Sequence, residues 1–236
     1  MTDPSGSTVF GIFVKEPVAN RVKTRLASNL GGNGAELAAT LYSAFQRDLM
    51  DRFRHRFDER ILGYAPLSAS DFFQTASAGD FRLWPQPDVD LGQRMLAFFE
   101  TAFANGAGRV VLIGSDSPTL PVSLVDEAFE SLMSHDLVIS PATDGGYVLI
   151  GQSRTAHNVF DDIEWSTSCV LAQTIQAVQS QSLSVGLLNP WYDIDTVEDL
   201  RMLAGHIAAM DAGDQSQTLK ATRLALSNLA ARDPSA

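Results

Sequence analysis

Arg109-Val-Val-Leu-Ile-Gly-Ser-Asp-Ser-Pro118 is the stretch that decides the fold. Its apolar run through Ile113 reads as a parallel strand buried on both faces, and Gly114 to Pro118 ends it abruptly. Working outward, Thr8 to Val14 (TVFGIFV) is a second bounded β-rich run, followed by a basic loop and a helical segment from about Ala35 to Phe53. In that segment Leu37, Leu41, Ala44, Phe45, Asp48 and Leu49 recur at three and four, one stripe of a helix. Arg60 to Tyr64 and Phe81 to Trp84 read as strands, and Leu91 to Ala104 as a helix. Pro121 to Met133 is a further helix, Leu137 to Ser140 a strand, and Tyr147 to Ile150 resumes extended structure. A helix is expected from Thr167 to Gln179 and a last strand from Ser184 to Leu188. Thr196-Val-Glu-Asp199 has the pattern of a capping box opening a helix over Leu200 to Met210, with one more helix possible to about Ala230.

Strands alternating with helices predict an α/β fold, a three-layer α/β/α sandwich with a mostly parallel central sheet, because parallel strands need crossover connections. No repeat or Pro/Gly/Ser linker divides the chain, so one domain is expected over residues 8–211, after a flexible N-terminus at 1–7 and before a C-terminal helix and tail at 212–236.

The 236 residues are 45% apolar, enough for a sizeable core, and carry one cysteine, Cys169, so a disulfide scaffold is excluded. The start is polar and acidic, unlike an export signal, and no apolar run has the length of a membrane span; the expected location is the cytoplasm. A net charge of −11 argues against general nucleic-acid binding. The charge is uneven. Between Val110 and Leu200 the only Lys or Arg is Arg154, against thirteen acids, whereas Lys15, Arg21, Lys23 and Arg25 crowd the first loop with Glu16 as its only acid. Phosphates and a divalent cation bound together would suit that arrangement.

Parallel sheets bind ligands beyond the carboxyl ends of their strands, so the loops after the strands are where chemistry is expected. In the first, Lys15 to Arg25 (KEPVANRVKTR), neither a Walker nor a Rossmann glycine pattern is present, so the cations must act through side chains. Lys15, Lys23 and Arg25, with Thr24 as an extra donor, can neutralise a diphosphate, and Asn20 can take a left-handed turn; the alternative is an exposed basic loop. In the second, Asp116 can hold Mg or Mn, or else Ser115, Ser117 or Thr119 caps the next helix and Asp116 adds charge near its start. The third is Asp193-Ile-Asp195, two carboxylates in alternation suited to one metal, while Asp199 is better explained by the capping box. Asp144-Gly145-Gly146-Tyr147 is a fourth: the glycines permit close approach to a ligand, Asp144 can accept hydrogen bonds and Tyr147 can stack, although a plain tight turn would look the same.

Trp165, Ser166 and Thr167 are candidates for substrate contact, against a buried Trp165 and a Ser166 or Thr167 helix cap. Arg94 falls in the first turn of a helix. The four histidines follow no nucleophile signature, and no Gly-x-Ser-x-Gly elbow is present. Arg47 to Arg60, alternating with Asp48, Asp51, Asp58 and Glu59, looks like a solvated surface.

The ordered set carries more than its members. Lys15-x-Pro17, Val22-Lys-Thr-Arg-Leu26, Asp90-Leu-Gly-x-Arg-Met95, Gly114-Ser-Asp-Ser-Pro-x-Leu-Pro121, Pro141-Ala-x-Asp-Gly-Gly-Tyr147, Trp165-Ser-Thr167 and Asp193-x-Asp-Thr-x-Glu-Asp-Leu200 closely resemble a bacterial family of small transferases. These are GT-A-type proteins of the nucleotide-diphospho-sugar transferase superfamily, commonly labelled glycosyltransferases and linked to radical-SAM and arsenosugar pathways. They are distantly similar to phospholactate and molybdenum-cofactor guanylyltransferases. The resemblance spans roughly residues 8–205. It implies a nucleotide-binding domain in which Lys15, Lys23 and Arg25 meet phosphates, and Asp116 and Asp195 hold the metal. Two departures stand out: Asn20 and Val89 replace glycines usual in the family, and Val89 would reshape the loop before Asp90 and so affect Arg94.

The leading expectation is a metal-dependent glycosyltransferase that takes a nucleotide-sugar donor and a small-molecule acceptor, with Mg or Mn and with Asp144 as base. In that reading Lys23, Thr24, Arg25, Arg94, Gly145, Gly146 and Tyr147 join Lys15 around the nucleotide. The alternatives are nucleotidyl transfer from an NTP to a phosphorylated acceptor with release of pyrophosphate, and a nucleotide-binding module without turnover.

Overall fold

The computed structural model describes residues 6–213 and 218–232; most of the expected N-terminal segment, and residues 214–217 and 233–236 of the expected tail, lie outside them. In chain order the elements are β1 (Ser7–Lys15), α1 (Thr24–Ser28), α2 (Gly34–Phe53), β2 (Glu59–Ala65), a 3-10 turn (Leu67–Ala69), α3 (Ser70–Ala76), β3 (Arg82–Pro85), α4 (Leu91–Ala104) and β4 (Ala107–Ile113). They continue with α5 (Val122–Ser131), β5 (Leu137–Pro141), β6 (Tyr147–Ser153), α6 (Val170–Ser180), β7 (Val185–Leu187), α7 (Val197–Ala212) and α8 (Lys220–Arg232). Every strand and helix expected from the sequence is present. The helices α1 and α3 and the 3-10 turn are additions, each too short for an apolar period to show.

Contacts divide the chain into two compact units: Met1–Val14, Arg54–Gly114 and Leu120–Tyr192 form the first, and Lys15–Phe53, Ser115–Thr119 and Asp193–Ala236 the second. The first holds a seven-stranded sheet in the order β3-β2-β1-β4-β6-β5-β7. Parallel ladders join β1 to β4, β2 to β3 and β5 to β7, whereas β6 runs antiparallel to both β4 and β5. The reversal follows from chain length. Only residues 142–146 separate β5 from β6, too few for the crossover a parallel neighbour requires.

Strand alternation sorts the core of this unit onto two faces. Val9, Val110 and Leu112 pack with Phe98 and Phe99 of α4 and Val178 of α6. On the other face Phe10 lies 5.1 Å from Phe57, which lies 4.7 Å from Phe129 of α5. Helices on both faces of a mixed, mostly parallel sheet make the three-layer α/β architecture, and each buried Phe contributes about 1.5–3 kcal/mol. One close approach depends on a missing side chain: a Cβ at Gly11 would stand 2.3 Å from the Phe98 ring.

The second unit is built on α2, whose Leu41, Phe45, Leu49 and Phe53 are buried, with α1 and α8 packed against that helix. Asp48 overturns the expectation of a wholly solvated Arg47–Arg60 stretch. It is buried, and its two carboxylate oxygens accept the N–H groups of Ala221 and Thr222 at 3.0 and 2.7 Å, capping α8 from a different helix. Thr196 and Asp199 form the expected capping box of α7.

Two capping alternatives are corrected. Pro121 is the N-cap of α5 and supplies no side-chain bond, so Ser115, Ser117 and Thr119 do not cap that helix. Ser166 and Thr167 do not start α6, which begins at Val170. Thr167 instead donates to Glu164 O and accepts the Cys169 N–H, while the Leu171 N–H is satisfied by the Gly145 carbonyl at 2.9 Å. Among the described residues no helix is long and apolar enough to cross a membrane.

Candidate active site

The second unit gathers three loops that the sequence marks for chemistry. As the chain leaves β1, the Lys15 N–H is accepted by the Tyr42 hydroxyl at 3.2 Å, and the Lys15 carbonyl accepts from Gln46 Nε2 at 2.7 Å. Tyr42 and Gln46 stand one turn apart on α2, so both reach the backbone of Lys15, one at its N–H and the other at its carbonyl. Tyr42 also meets Ser115 Oγ at 2.7 Å, which ties the first loop to the residue beside Asp116. These anchors were missed in the sequence; the signal was a pair of polar residues at the margin of an apolar stripe.

Beyond Lys15 the loop turns tightly, with Val18 N–H on Glu16 O and Arg21 N–H on Val18 O. Asn20 takes the left-handed conformation expected of it, at φ 64°. Lys23 does so too, at φ 49°, which costs a residue with a Cβ about 1–2 kcal/mol. The conformation persists because the side chain is held at its far end. Its ammonium contacts Asp116 Oδ1 and lies 2.8 Å from Asp195 Oδ1.

The Lys23 side chain is 3% exposed, whereas Asp116 and Asp195 are 44% and 37% exposed: a buried cation between two carboxylates that face water. The backbone brings the acids together, since the Ile194 N–H donates to Asp116 O at 3.0 Å. Asp199 fixes the second acid, because its Oδ2 accepts the N–H groups of Asp195 and Thr196 and the Thr196 hydroxyl. Burial by itself would push the Lys23 ammonium down; the charges of Asp116 and Asp195 outweigh it and hold the group above the ordinary lysine range. Burial, then the Asp116 charge, raises the Tyr42 phenol, so it stays protonated. Arg25, 67% exposed, places Nη1 4.0 Å from Asp195 Oδ2. Lys15 and Thr24 are exposed, Thr24 as the first residue of α1.

Lys23, Arg25, Asp116 and Asp195 are thus brought together within one unit. Lys15 and Thr24 belong to the same unit, and the remaining candidates belong to the first. Asp144 is exposed and its Oδ1 accepts the Gly146 N–H at 2.9 Å, the hydrogen bond of a tight turn. Gly145 has φ 94°, and a Cβ there would meet the Ser168 carbonyl oxygen at 2.4 Å. Tyr147 packs its ring against the core shared with α4, and its buried hydroxyl is raised in pKa by burial. Trp165 packs against the same core, while Ser166 and Thr167 are exposed. Asp90 caps α4, and Arg94 Nε donates to Val89 O at 2.7 Å, bracing the loop before that helix.

A crystal structure of a candidate nucleotide-diphospho-sugar transferase from Desulfovibrio desulfuricans G20 is 32% identical to this chain, with a TM-score of 0.84 and coverage of 94% of both chains. A cytidylyltransferase from Leptospira borgpetersenii serovar Hardjo-bovis strain JB197 shares the fold at 13% identity and TM-score 0.56, over 97% of this chain and 95% of that one. CMP:2-keto-3-deoxy-manno-octonic acid synthetase complexed with CTP shares it at 10% identity and TM-score 0.52, over 86% of this chain and 99% of that one. No curated protein matches the sequence.

Fold and relatives define a member of the nucleotide-diphospho-sugar transferase superfamily, a class of nucleotide-dependent transferases. Within it, the chain belongs to the family described as "Uncharacterized protein conserved in bacteria (DUF2064)", whose model matches residues 49–167.

Proposed function

We propose that this protein transfers a glycosyl group from a nucleotide-sugar donor to a small-molecule acceptor, using Mg or Mn held by Asp116 and Asp195. The observation that carries the reading is the meeting of Lys23 with both carboxylates, because cations from the first loop and acids from two later loops are what a diphosphate with a bridging metal ion requires. The identity of 32% to a candidate nucleotide-diphospho-sugar transferase supports it.

The residues fit a divalent ion of this kind. Both donors are hard carboxylate oxygens, and one small cation, the ammonium, already reaches an oxygen of each. Both carboxylates are open enough to leave coordination positions for water and phosphate, which suits Mg, since it takes one or two carboxylates and completes its shell with those ligands. Among the described residues no three His, Cys, Asp or Glu side chains converge, so the protein would supply two ligands. When bound, the ion would neutralise charge on the departing nucleoside diphosphate.

The chain's own groups do the rest. Lys23 and Arg25 offer an ammonium and a forked guanidinium to phosphate oxygens. Tyr42 and Gln46 hold the backbone of Lys15, and Asp199 holds the N–H groups of Asp195 and Thr196, so the loops need little reorganisation when the anion arrives.

A second reading, nucleotidyl transfer with pyrophosphate release, is favoured by the concentration of Lys23 and Arg25 beside Asp195, a charge density that suits a triphosphate. Incubation with Mg or Mn and a panel of nucleotide sugars and NTPs separates the readings. Nucleoside diphosphate is the product expected; pyrophosphate would move the assignment to nucleotidyl transfer. Tight nucleotide binding with neither product would make the protein a binding module. Asp116→Asn should abolish metal-dependent nucleotide binding, and unchanged binding would end the metal assignment.

A further inference from the structure

We infer that Lys23 is a built-in counter-cation that closes the acid pair, and that it exchanges with the incoming divalent ion: the ammonium leaves Asp116 and Asp195 as the metal is admitted and becomes available to phosphate. The inference rests on the reading of that pair as the metal site.

Geometry sets the two cations in competition. The ammonium contacts the Oδ1 atoms of both aspartates, so an ion held by those oxygens would compete with Nζ for them. Charge makes it favourable to couple. Two carboxylates and one ammonium carry one net negative charge, and a dication added beside the ammonium would repel it at close range. A phosphate gives the displaced ammonium a new anionic partner, as the acids gain the metal. Neither half of the exchange leaves a charge uncompensated, whereas metal alone must expel a buried cation into water.

The backbone fits a side chain with two positions. Lys23 sits at φ 49° and ψ 43°, just ahead of the five-residue α1, and its own side chain caps nothing there. The acids are fixed independently, Asp195 through Asp199 and the Asp116 segment through the Ile194 N–H and the Ser115–Tyr42 bond. Withdrawal of Lys23 therefore does not require the backbone of either aspartate to move. The consequence for the proposed reaction is ordered, mutually dependent binding: metal and nucleotide enter well together and each poorly alone.

The sequence has three lysines, Lys15, Lys23 and Lys220, and the first and last are exposed, so amine footprinting reads the exchange residue by residue. The full chain is treated with an acylating reagent with and without saturating Mn2+, with no nucleotide, and bound Mn2+ is counted by electron paramagnetic resonance. Lys23 should be modified about ten-fold faster with Mn2+ while Lys220 is unchanged. Bound Mn2+ with Lys23 still inert overturns the exchange and leaves the metal site standing; no bound Mn2+ overturns the metal site and the exchange together. In the same assay Lys23→Met should bind Mn2+ about ten-fold more tightly than the parent chain, and equal affinity would also overturn the exchange. Should that variant fail to fold, the footprint on the unaltered chain decides alone.

Discussion

The hydroxyls of Tyr42 and Ser115 stand 2.7 Å apart, and the Tyr42 oxygen also accepts the Lys15 N–H. One phenol thus fastens two loops of the proposed site to α2. Tyr42→Phe leaves the buried Ser115 hydroxyl and the Lys15 N–H without this partner, at a cost of about 2 kcal/mol or a few degrees in Tm. Nucleotide affinity should fall with it. A variant with parental Tm and affinity would show that the phenol anchors neither loop.

Asp199 accepts three hydrogen bonds on one oxygen, from the Asp195 and Thr196 N–H groups and the Thr196 hydroxyl. Asp199→Ala removes all three and half of the capping box, so a loss of about 1–2 kcal/mol is expected in chemical denaturation. Asp199→Asn keeps one acceptor oxygen and should lose less. An equal loss for both variants would mean that the charge, and not the acceptor geometry, stabilises the turn.

Much of this arrangement was legible in the sequence, for physical reasons that differ by residue. The capping box is local, and four residues carry it whole. Asn20 was legible because its short amide tolerates the left-handed conformation, Asp116 because it closely follows a β-rich run, and Asp195 because it alternates with Asp193 in the loop beyond another such run. Tyr42, Gln46 and Asp48 were not, since a polar residue on a helix reads as surface until tertiary packing says otherwise. Lys23 was expected to reach phosphate through its side chain, and nothing local shows that two carboxylates from distant segments bury it. Trp165-Ser-Thr167 mimics a helix start, but the first turn of α6 takes a partner from Gly145, twenty-five residues before Val170, which no local pattern reports.

Asp48 offers the clearest test of a distant contact. It lies within α2 yet caps α8 through the Ala221 and Thr222 N–H groups. Asp48→Ala leaves those donors unmet and should cost about 1–2 kcal/mol. Native-state hydrogen exchange is the decisive readout. Protection at Ala221 and Thr222 should drop while that of Phe10 and Val111 in the sheet is kept; unchanged protection in α8 would show that packing alone holds the helix.

Two aspartates contribute to the acid limb of stability. The backbone and hydroxyl of Thr8 hold the Asp58 carboxyl below the ordinary range, and the Ser184 hydroxyl and N–H do the same for Asp136. A folded-state pKa below the unfolded one means that protons bind the unfolded chain more tightly. The contribution is therefore complete above the ordinary aspartate value near 3.8 and disappears as pH falls through the depressed folded values. Tm measured from pH 6 down to about 2 should fall steeply below about 4, and Asp58→Asn should flatten part of that slope. A variant with the parental slope would remove Asp58 from the account.

Gly11 is required by Phe98. A Cβ on this residue of β1 would stand 2.3 Å from the ring edge and 3.0 Å from a Leu112 methyl, and Phe98 is buried with Trp84 and Phe13 rings against it. The ring cannot swing aside without displacing its neighbours, so Gly11→Ala should cost about 1–3 kcal/mol through overpacking. Phe98→Leu alone should also destabilise, by opening a cavity. Combined, the two changes relieve each other, since the smaller side chain makes room for the new methyl. The double variant should be more stable than the sum of the single losses predicts, by about 0.5–2 kcal/mol in a double-mutant cycle. Additive losses would place the strain of Gly11→Ala somewhere other than the Phe98 ring.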